Sequence, residues 1–399
     1  MKIRVSDRVA RLPAYPLAQI PSIKRRLLAA GMDVIDLGAG DADGPPPAPT
    51  IEALHEALGV TALHKYGFQQ GSAAFREAAV RWIERRFGQT FDAHAEMLPL
   101  IGSKEGLTHL AFAICNAGDV VIVPEPGYQA YIGGAILSGA EAHVVPLRPE
   151  NRFLVELDDL PAETLRRARL VYVNYPNNPT AAIAPRDYLE RLVAACRKHG
   201  IVLAYDNAYC DIAFDGYVAP SIFEVPGARD VAVEFFSMSK SFQMTGWRVG
   251  FAVGSSELIG ALTKVKSYVD TGPFLALQQA AAFTLDHAEE LNRPVVAELA
   301  RRRDAAVAAL TEAGFSVEIP RAAMYVWVPL PAGLASATFT TRALEEEGVV
   351  VLPGSGFGPG GEGYFRIALT VPPARLQEAV TRLGRTLAAC MGVVGAATS

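Results

Sequence analysis

The sequence predicts an α/β fold, a mainly parallel sheet covered by helices and followed by a smaller α+β unit. Three observations carry that expectation. From residue 50 to about 285, short apolar runs alternate with stretches of helical periodicity, the rhythm of strands joined by crossover helices. After an alanine-, arginine- and glutamate-rich helix over 289–313, the texture changes to a second series of strand-like runs. The chain has 399 residues, half of them apolar, enough for a large core and two domains.

In chain order, residues 20–31 have helical periodicity, 34–37 form a short β-type run, and 38–49 are a Gly/Pro-rich turn, so the opening reads as an arm. The runs 97–101, 120–123, 143–147, 170–173, 201–205, 231–236 and 249–254 are the expected strands of the large sheet. Strands expected at 315–319, 324–328, 349–352 and 364–369 build the second unit, closed by a helix over 373–389. The tail from 392 to 399 is expected to fray. The domain boundaries that follow are 1–49 for an N-terminal arm and part of the small domain, 50–288 for the large domain, and 289–399 for the C-terminal small domain.

Composition narrows the function. A net charge of −5 gives no electrostatic case for nucleic acid or an anionic membrane, both of which call for a clustered basic surface. Residues 1–10 mix charges with valines and lack the apolar core of a signal peptide, and no apolar run approaches the ~20 residues that span a bilayer, so a cytoplasmic protein is expected. Cys115, Cys196, Cys210 and Cys390 are scattered, without metal-ligand spacing or a companion histidine. No metal and no disulfide is expected, and Cys210 reads as a small buried thiol.

The most informative stretch is Ser237-Met238-Ser239-Lys240-Ser241-Phe242-Gln243-Met244-Thr245-Gly246-Trp247-Arg248. It sets one lysine between hydroxyls, with an arginine downstream, and two β-type runs flank it. An amine that attacks an aldehyde must be held in place and kept partly neutral, which suits Lys240. Phosphate wants hydroxyl donors and a guanidinium fork, which Ser237, Ser239 and Arg248 supply. Ser-x-Ser-Lys alone is ordinary loop sequence; the flanking strands and the Met-Thr-Gly-Trp-Arg portion make the pattern specific. The segment resembles the lysine signature of class I/II aminotransferases, the fold-type I enzymes that use pyridoxal 5'-phosphate.

That resemblance implies a mainly parallel seven-stranded sheet in a large cofactor-binding domain plus a smaller α+β domain. It also implies roles for residues just beyond the strand-like runs, where open α/β sheets place ligands. Asp206, followed by Asn207-Ala208-Tyr209, matches the carboxylate that pairs with the protonated pyridine, with Tyr209 at the ring oxygen; otherwise such an aspartate is a helix cap. In Asn174-Tyr175-Pro176-Asn177-Asn178-Pro179-Thr180, Asn178 matches the asparagine on the ring oxygen, although Ala181 stands where the family commonly has glycine. Gly102-Ser103-Lys104-Glu105-Gly106 resembles the phosphate-binding turn, which points to Ser103 and Lys104. Tyr128 in Pro126-Gly127-Tyr128 matches the ring stacked on the cofactor, and with Lys240 and Asp206 it completes the expected catalytic group.

Tyr66, in Lys65-Tyr66-Gly67-Phe68-Gln69-Gln70-Gly71, matches a tyrosine that reaches the cofactor phosphate of the neighbouring subunit, so a homodimer with shared active sites is implied. Arg366 matches the arginine that grips the substrate α-carboxylate, against a structural salt bridge as the bland account of a strand arginine. Gly40 and Tyr15 join Gln69, Asn178 and Arg366 as expected substrate contacts. The combined motifs look most like the LL-diaminopimelate aminotransferase group, which would serve lysine biosynthesis. Those enzymes carry a glutamate for the distal ammonium where this chain has neutral Gln69, so alanine, aspartate, glutamate or a hydrophobic amino acid stay open as donors. The implied reaction moves an amino group to a 2-oxo acid such as 2-oxoglutarate. A β-lyase or decarboxylase on the same scaffold is the alternative, and a transcription regulator would need a basic module for which the opening residues leave little room.

Overall fold

The computed structural model describes residues 3–13 and 20–397, with side chains as far as Gly392. Twelve strands are found among the described residues: β1 Ile35–Asp36, β2 Met97–Leu100, β3 Val120–Glu125, β4 Glu141–Pro146, β5 Ala168–Asn174, β6 Val202–Asp206, β7 Ala232–Ser237, β8 Gly250–Gly254, β9 Tyr325–Pro329, β10 Val349–Val350, β11 Leu352–Pro353 and β12 Tyr364–Ala368. Seven of them form one sheet in the order β2-β8-β7-β6-β5-β3-β4. Every pairing is parallel except those of β8, which runs against β7 and β2.

Both faces of this sheet are covered, which explains why its strands read as continuous apolar runs rather than as alternations. Val171 and Val173 pack into one core with Trp82, Phe236 and Phe251, while Leu170 and Tyr172 face the opposite core with Leu107 and Phe235. A third core joins helix Ala288–Glu312, helix Pro373–Ala397 and the sheet β11-β12-β9, and it takes in Ile35 and Leu37 from the N-terminal segment.

Three expectations about elements need correction. Residues 315–319 are not a strand: Phe315 is anchored in the core, but Ile319 is exposed and precedes Pro320, and the segment has no ladder partner among the described residues. Residues 349–352 are two strands in two sheets, since β10 pairs with β1 in parallel and β11 pairs antiparallel with β12. The closing helix runs to Ala397 instead of ending at residue 389, so the tail expected to fray continues that helix as far as Ala397. No helix among the described residues is long and apolar enough to cross a membrane.

The fold also places the site. The carboxyl ends of β2, β3, β5, β6 and β7 share one edge of the sheet, and the reversal of β8 brings its amino end, with Arg248 just before it, to the same edge. The chain leaves β3 for β4 on one side and returns to β5 on the other, which opens a crevice there.

Candidate active site

A cavity of about 690 Å³ lies at that edge, between the large sheet and the small-domain strands, and Lys240, Asp206, Arg248 and Arg366 all line it. Lys240 sits in the short helix Met238–Ser241, capped by Ser237, whose hydroxyl accepts from Ser239 N at 3.3 Å. Its Nζ donates to the carbonyl of Gly40, which fixes the amine beside the N-terminal glycine turn. That turn has no room for a side chain, because a Cβ on Gly40 would lie 2.3 Å from the Tyr325 hydroxyl.

Asp206 ends β6 and caps no helix; it is 4% exposed. Oδ2 accepts from the Tyr131 hydroxyl at 2.7 Å, whereas Oδ1 is buried with no hydrogen-bond partner among the described residues. Burial pushes its carboxyl up to about 6, even though Tyr131 and the Ala208 backbone pull the other way. A buried carboxylate oxygen left in this state is costly, and a protonated ring nitrogen would satisfy it.

The opposite end of the cavity is cationic. Gly102, at φ +72, opens helix Ser103–Ile114, and a Cβ there would meet the Arg248 guanidinium at 2.2 Å. Arg248 Nη1 donates to Ser239 Oγ at 3.3 Å and to the Thr245 carbonyl at 2.7 Å. Partial burial, then the charge of Arg248, holds the Lys104 ammonium below its ordinary value, and Lys104 Nζ stands 5.6 Å from the Tyr128 ring centroid. Two cations, the hydroxyls of Ser103 and Ser239 and a helix start together make an anion cradle. The anion cradle and the buried Asp206 oxygen thus fit a flat ring that carries a phosphate at one end and a protonated nitrogen at the other.

Asn178 and Tyr209 belong to the wall between these poles. Asn178 Oδ1 accepts from Arg366 Nη1 at 2.6 Å, and Arg366 Nη2 donates to Gly38 O at 2.7 Å. The guanidinium lies 4.1 Å from the Tyr325 ring centroid and 4.8 Å from that of Phe357. These contacts are to neutral oxygens and aromatic faces, a geometry suited to receiving a carboxylate. Tyr209 shares a 3.1 Å hydrogen bond with Tyr325 across the two domains, and burial raises its phenol well above the ordinary value. Ala181 takes the left-handed conformation, φ +58, so the loop keeps a glycine-like shape despite its Cβ.

Two expected residues are not in this cavity. Tyr66 is 74% exposed, and Gln69, half-buried, also lies off its lining. Tyr15 falls outside the described residues.

Other participants are not among the expected site residues. Tyr131 lies one helical turn past Tyr128 and stacks on Tyr172 at 4.8 Å. Asn174 donates to Asp206 O and accepts from Asn178 N, both at 2.7 Å, binding the two loops together. Glu234, fully buried beneath them, accepts from Asn207 Nδ2 at 2.7 Å and Ser221 Oγ at 2.5 Å, and burial pushes its carboxyl up to about 8. In the sequence, Asn174 opens the motif that carries Asn178 and Tyr131 lies one turn past Tyr128, whereas Glu234 has no such signal.

Comparison with known proteins agrees with this geometry. The family model for aminotransferase class I and II matches residues 32–383. LL-diaminopimelate aminotransferase of Nitratidesulfovibrio vulgaris is 46% identical over 383 residues, covering 96% of this chain and 99% of that protein. LL-diaminopimelate aminotransferase 2 of Trichormus variabilis is 44% identical over 382 residues, covering 96% and 98%. Substrate-bound BacF from Bacillus subtilis is similar in structure, with a TM-score of 0.92 at 33% identity over 97% of this chain and 98% of that one.

Proposed function

The chain belongs to the class I and II aminotransferase family, and from that premise we propose that the cavity around Lys240 is its active site, with LL-diaminopimelate as amino donor and 2-oxoglutarate as acceptor. The activity itself is pyridoxal 5'-phosphate-dependent transfer of an amino group between an amino acid and a 2-oxo acid. The observation that carries the site assignment is the convergence of Lys240, Asp206, Arg366 and the Arg248/Lys104 pair on one cavity.

When bound, pyridoxal phosphate supplies an aldehyde carbon and an electron-withdrawing ring. Ser103, Lys104, Ser237, Ser239 and Arg248 would hold its phosphate, Asn178 and Tyr209 its ring oxygen, Tyr128 one ring face, and Asp206 Oδ1 the protonated nitrogen. Tyr131 and the Asn174 bridge keep Asp206 aimed and dry. Arg366 grips the substrate carboxylate beside Gly40, so that the bond from Cα to hydrogen faces Lys240. The ε-amine of Lys240 would then be placed to take the Cα proton as general base and to give it back as general acid.

Three further parts of the reading rest on this frame. Residues 1–49, 50–288 and 289–399 act as arm with part of the small domain, large domain and small domain, a division supported by the core that joins Ile35 and Leu37 to Val326 and Leu376, although Tyr209 and Phe214 also reach into it. The enzyme works as a cytoplasmic homodimer, and Tyr66 and Gln69 complete the partner's site, in keeping with the exposure of Tyr66. The donor assignment, with its place in lysine biosynthesis, leans on full-length relatives named for LL-diaminopimelate.

The test is a donor screen with 2-oxoglutarate, following glutamate formation from LL-diaminopimelate, alanine, aspartate and a hydrophobic amino acid. The reading expects the highest kcat/KM with LL-diaminopimelate. No turnover of that donor beside rapid turnover of another would reject the substrate and leave the family untouched.

A further inference from the structure

Glu105, in the Gly102–Gly106 turn, has a role that phosphate binding alone does not explain. Lys266, the last residue of helix Ser256–Lys266, is fully buried. Its Nζ donates to both Glu105 oxygens, at 2.9 and 3.0 Å, and to Asp270 Oδ1 at 2.6 Å, which uses all three ammonium hydrogens. Glu105, His109 and Asp270 would otherwise have the spacing of a cation site, and Lys266 fills that place.

The carboxylates reach further than the lysine. Glu105 Oε2 accepts from Ile101 N at 2.7 Å, just before the turn that opens toward Arg248. Asp270 Oδ1 accepts from Gly272 N at 2.7 Å. Gly272, at φ +84, packs so closely on the next loop that a Cβ would lie 2.5 Å from the Phe68 carbonyl. A continuous path therefore runs from the Ser103 helix start to the loop that carries Tyr66 and Gln69.

Buried ion pairs are poor stabilisers, and well-packed apolar residues often serve a fold equally well. What an apolar side chain cannot do is accept backbone N–H groups from two separate loops. Although burial raises it, His109 and Lys266 leave the Glu105 carboxyl below its ordinary value, as an acceptor of several donors requires.

We propose that Lys266 is a positioning residue for the cofactor phosphate: through Glu105 it fixes the turn at Gly102, and through Asp270 it ties that turn to the Tyr66 loop. The inference rests on reading the Gly102–Lys104 turn as the phosphate cradle. Its signature is a loss of preference for the phosphorylated cofactor, which a general loss of stability would not produce.

The experiment strips the full-length enzyme of cofactor and titrates it with pyridoxal phosphate and with pyridoxal. Lys266→Met and Glu105→Gln should each lower the ratio of the two affinities by about 10-fold, the size of one mispositioned hydrogen bond to a charged group. Because both act through one path, the double variant should lose no more than the larger single effect. Arg248→Ala is the reference that must lose phosphate preference if the cradle is correctly identified. An unchanged ratio in Lys266→Met and Glu105→Gln beside a loss in Arg248→Ala would overturn the role of Lys266 and leave the cradle standing. An unchanged ratio in all three would overturn the cradle and this inference with it. Additive losses in the double variant would show two independent effects and reject the path; should Lys266→Met not fold, the Glu105→Gln ratio decides.

Discussion

The loop from Ser237 to Arg248 and the loop from Tyr66 to Gly71 carry equally recognisable motifs, yet they end in opposite situations. The first finds its partners within one chain: Lys240 meets Gly40, Arg248 meets Ser239, and both face Asp206 across the cavity. The second leaves Tyr66 and Phe68 exposed, at 74% and 60%, away from that cavity. Strand ends of a parallel sheet gather their residues by topology, whereas a surface loop needs a second surface to give its side chains work. In the proposed dimer the first loop supplies chemistry and the second completes a neighbour's phosphate site.

Lys240→Ala breaks the comparison most severely. It should abolish amino transfer, and borohydride should no longer fix cofactor to the chain, since the other lysine among the described lining residues, Lys104, stands at the phosphate end; peptide mapping of the reduced protein reads this directly. Asp206→Ala should still bind cofactor but lose turnover by about 100- to 1000-fold, the usual scale for removing one preorganised charge partner. Single-turnover rates close to wild type would reduce Asp206 to a structural residue.

Tyr66→Phe sharpens the other side. It removes one hydroxyl and should weaken cofactor affinity by roughly 10-fold, as for a hydrogen bond to a charged group, with little change in the stability of the chain. Equilibrium dialysis against pyridoxal phosphate measures this, and an unchanged affinity would separate the Tyr66 loop from the site.

The remaining prediction concerns not the reaction but the stability of the scaffold under Asp206. Glu234 is pushed from 4.5 to about 8, so the folded chain keeps a proton that the unfolded chain has released, and stability falls as pH rises between those values. Glu234→Gln can keep the Asn207 bond and should flatten that fall, gaining on the order of 2–4 kcal/mol on wild type between pH 5 and 8 in the cofactor-stripped protein. Parallel denaturation profiles across that range would show that Glu234 does not titrate in this window.

What the sequence made legible follows the same division. Residues whose chemistry is local to a strand end, such as Asp206, Asn178 and Lys240, stood out because residue type and position both pointed to the site. Tyr131, Glu234 and Lys266 did not, since each matters only through contacts with distant segments: Asp206 for the first, Ser221 and Asn207 for the second, Glu105 for the third. The splitting of residues 349–352 into β10 and β11 was hidden for a similar reason, because β10 pairs with a strand from the start of the chain. Residues 315–319 misled in the other direction, for apolar character without a ladder partner does not make a strand. Ala181 was legible as a departure, but not the left-handed backbone that accommodates it.

The central claim, that one chain supplies the catalytic pole and its partner the Tyr66 loop, is tested most directly by mixing Lys240→Ala with Tyr66→Ala. The assay is run at a cofactor concentration where each variant alone is inactive. In a shared-site dimer, random exchange makes half of the dimers hybrid, and one site in each hybrid is intact, so activity should return to about 25% of wild type. Activity no greater than the sum of the separate variants, with subunit exchange verified, would contradict the account and confine each active site to a single chain.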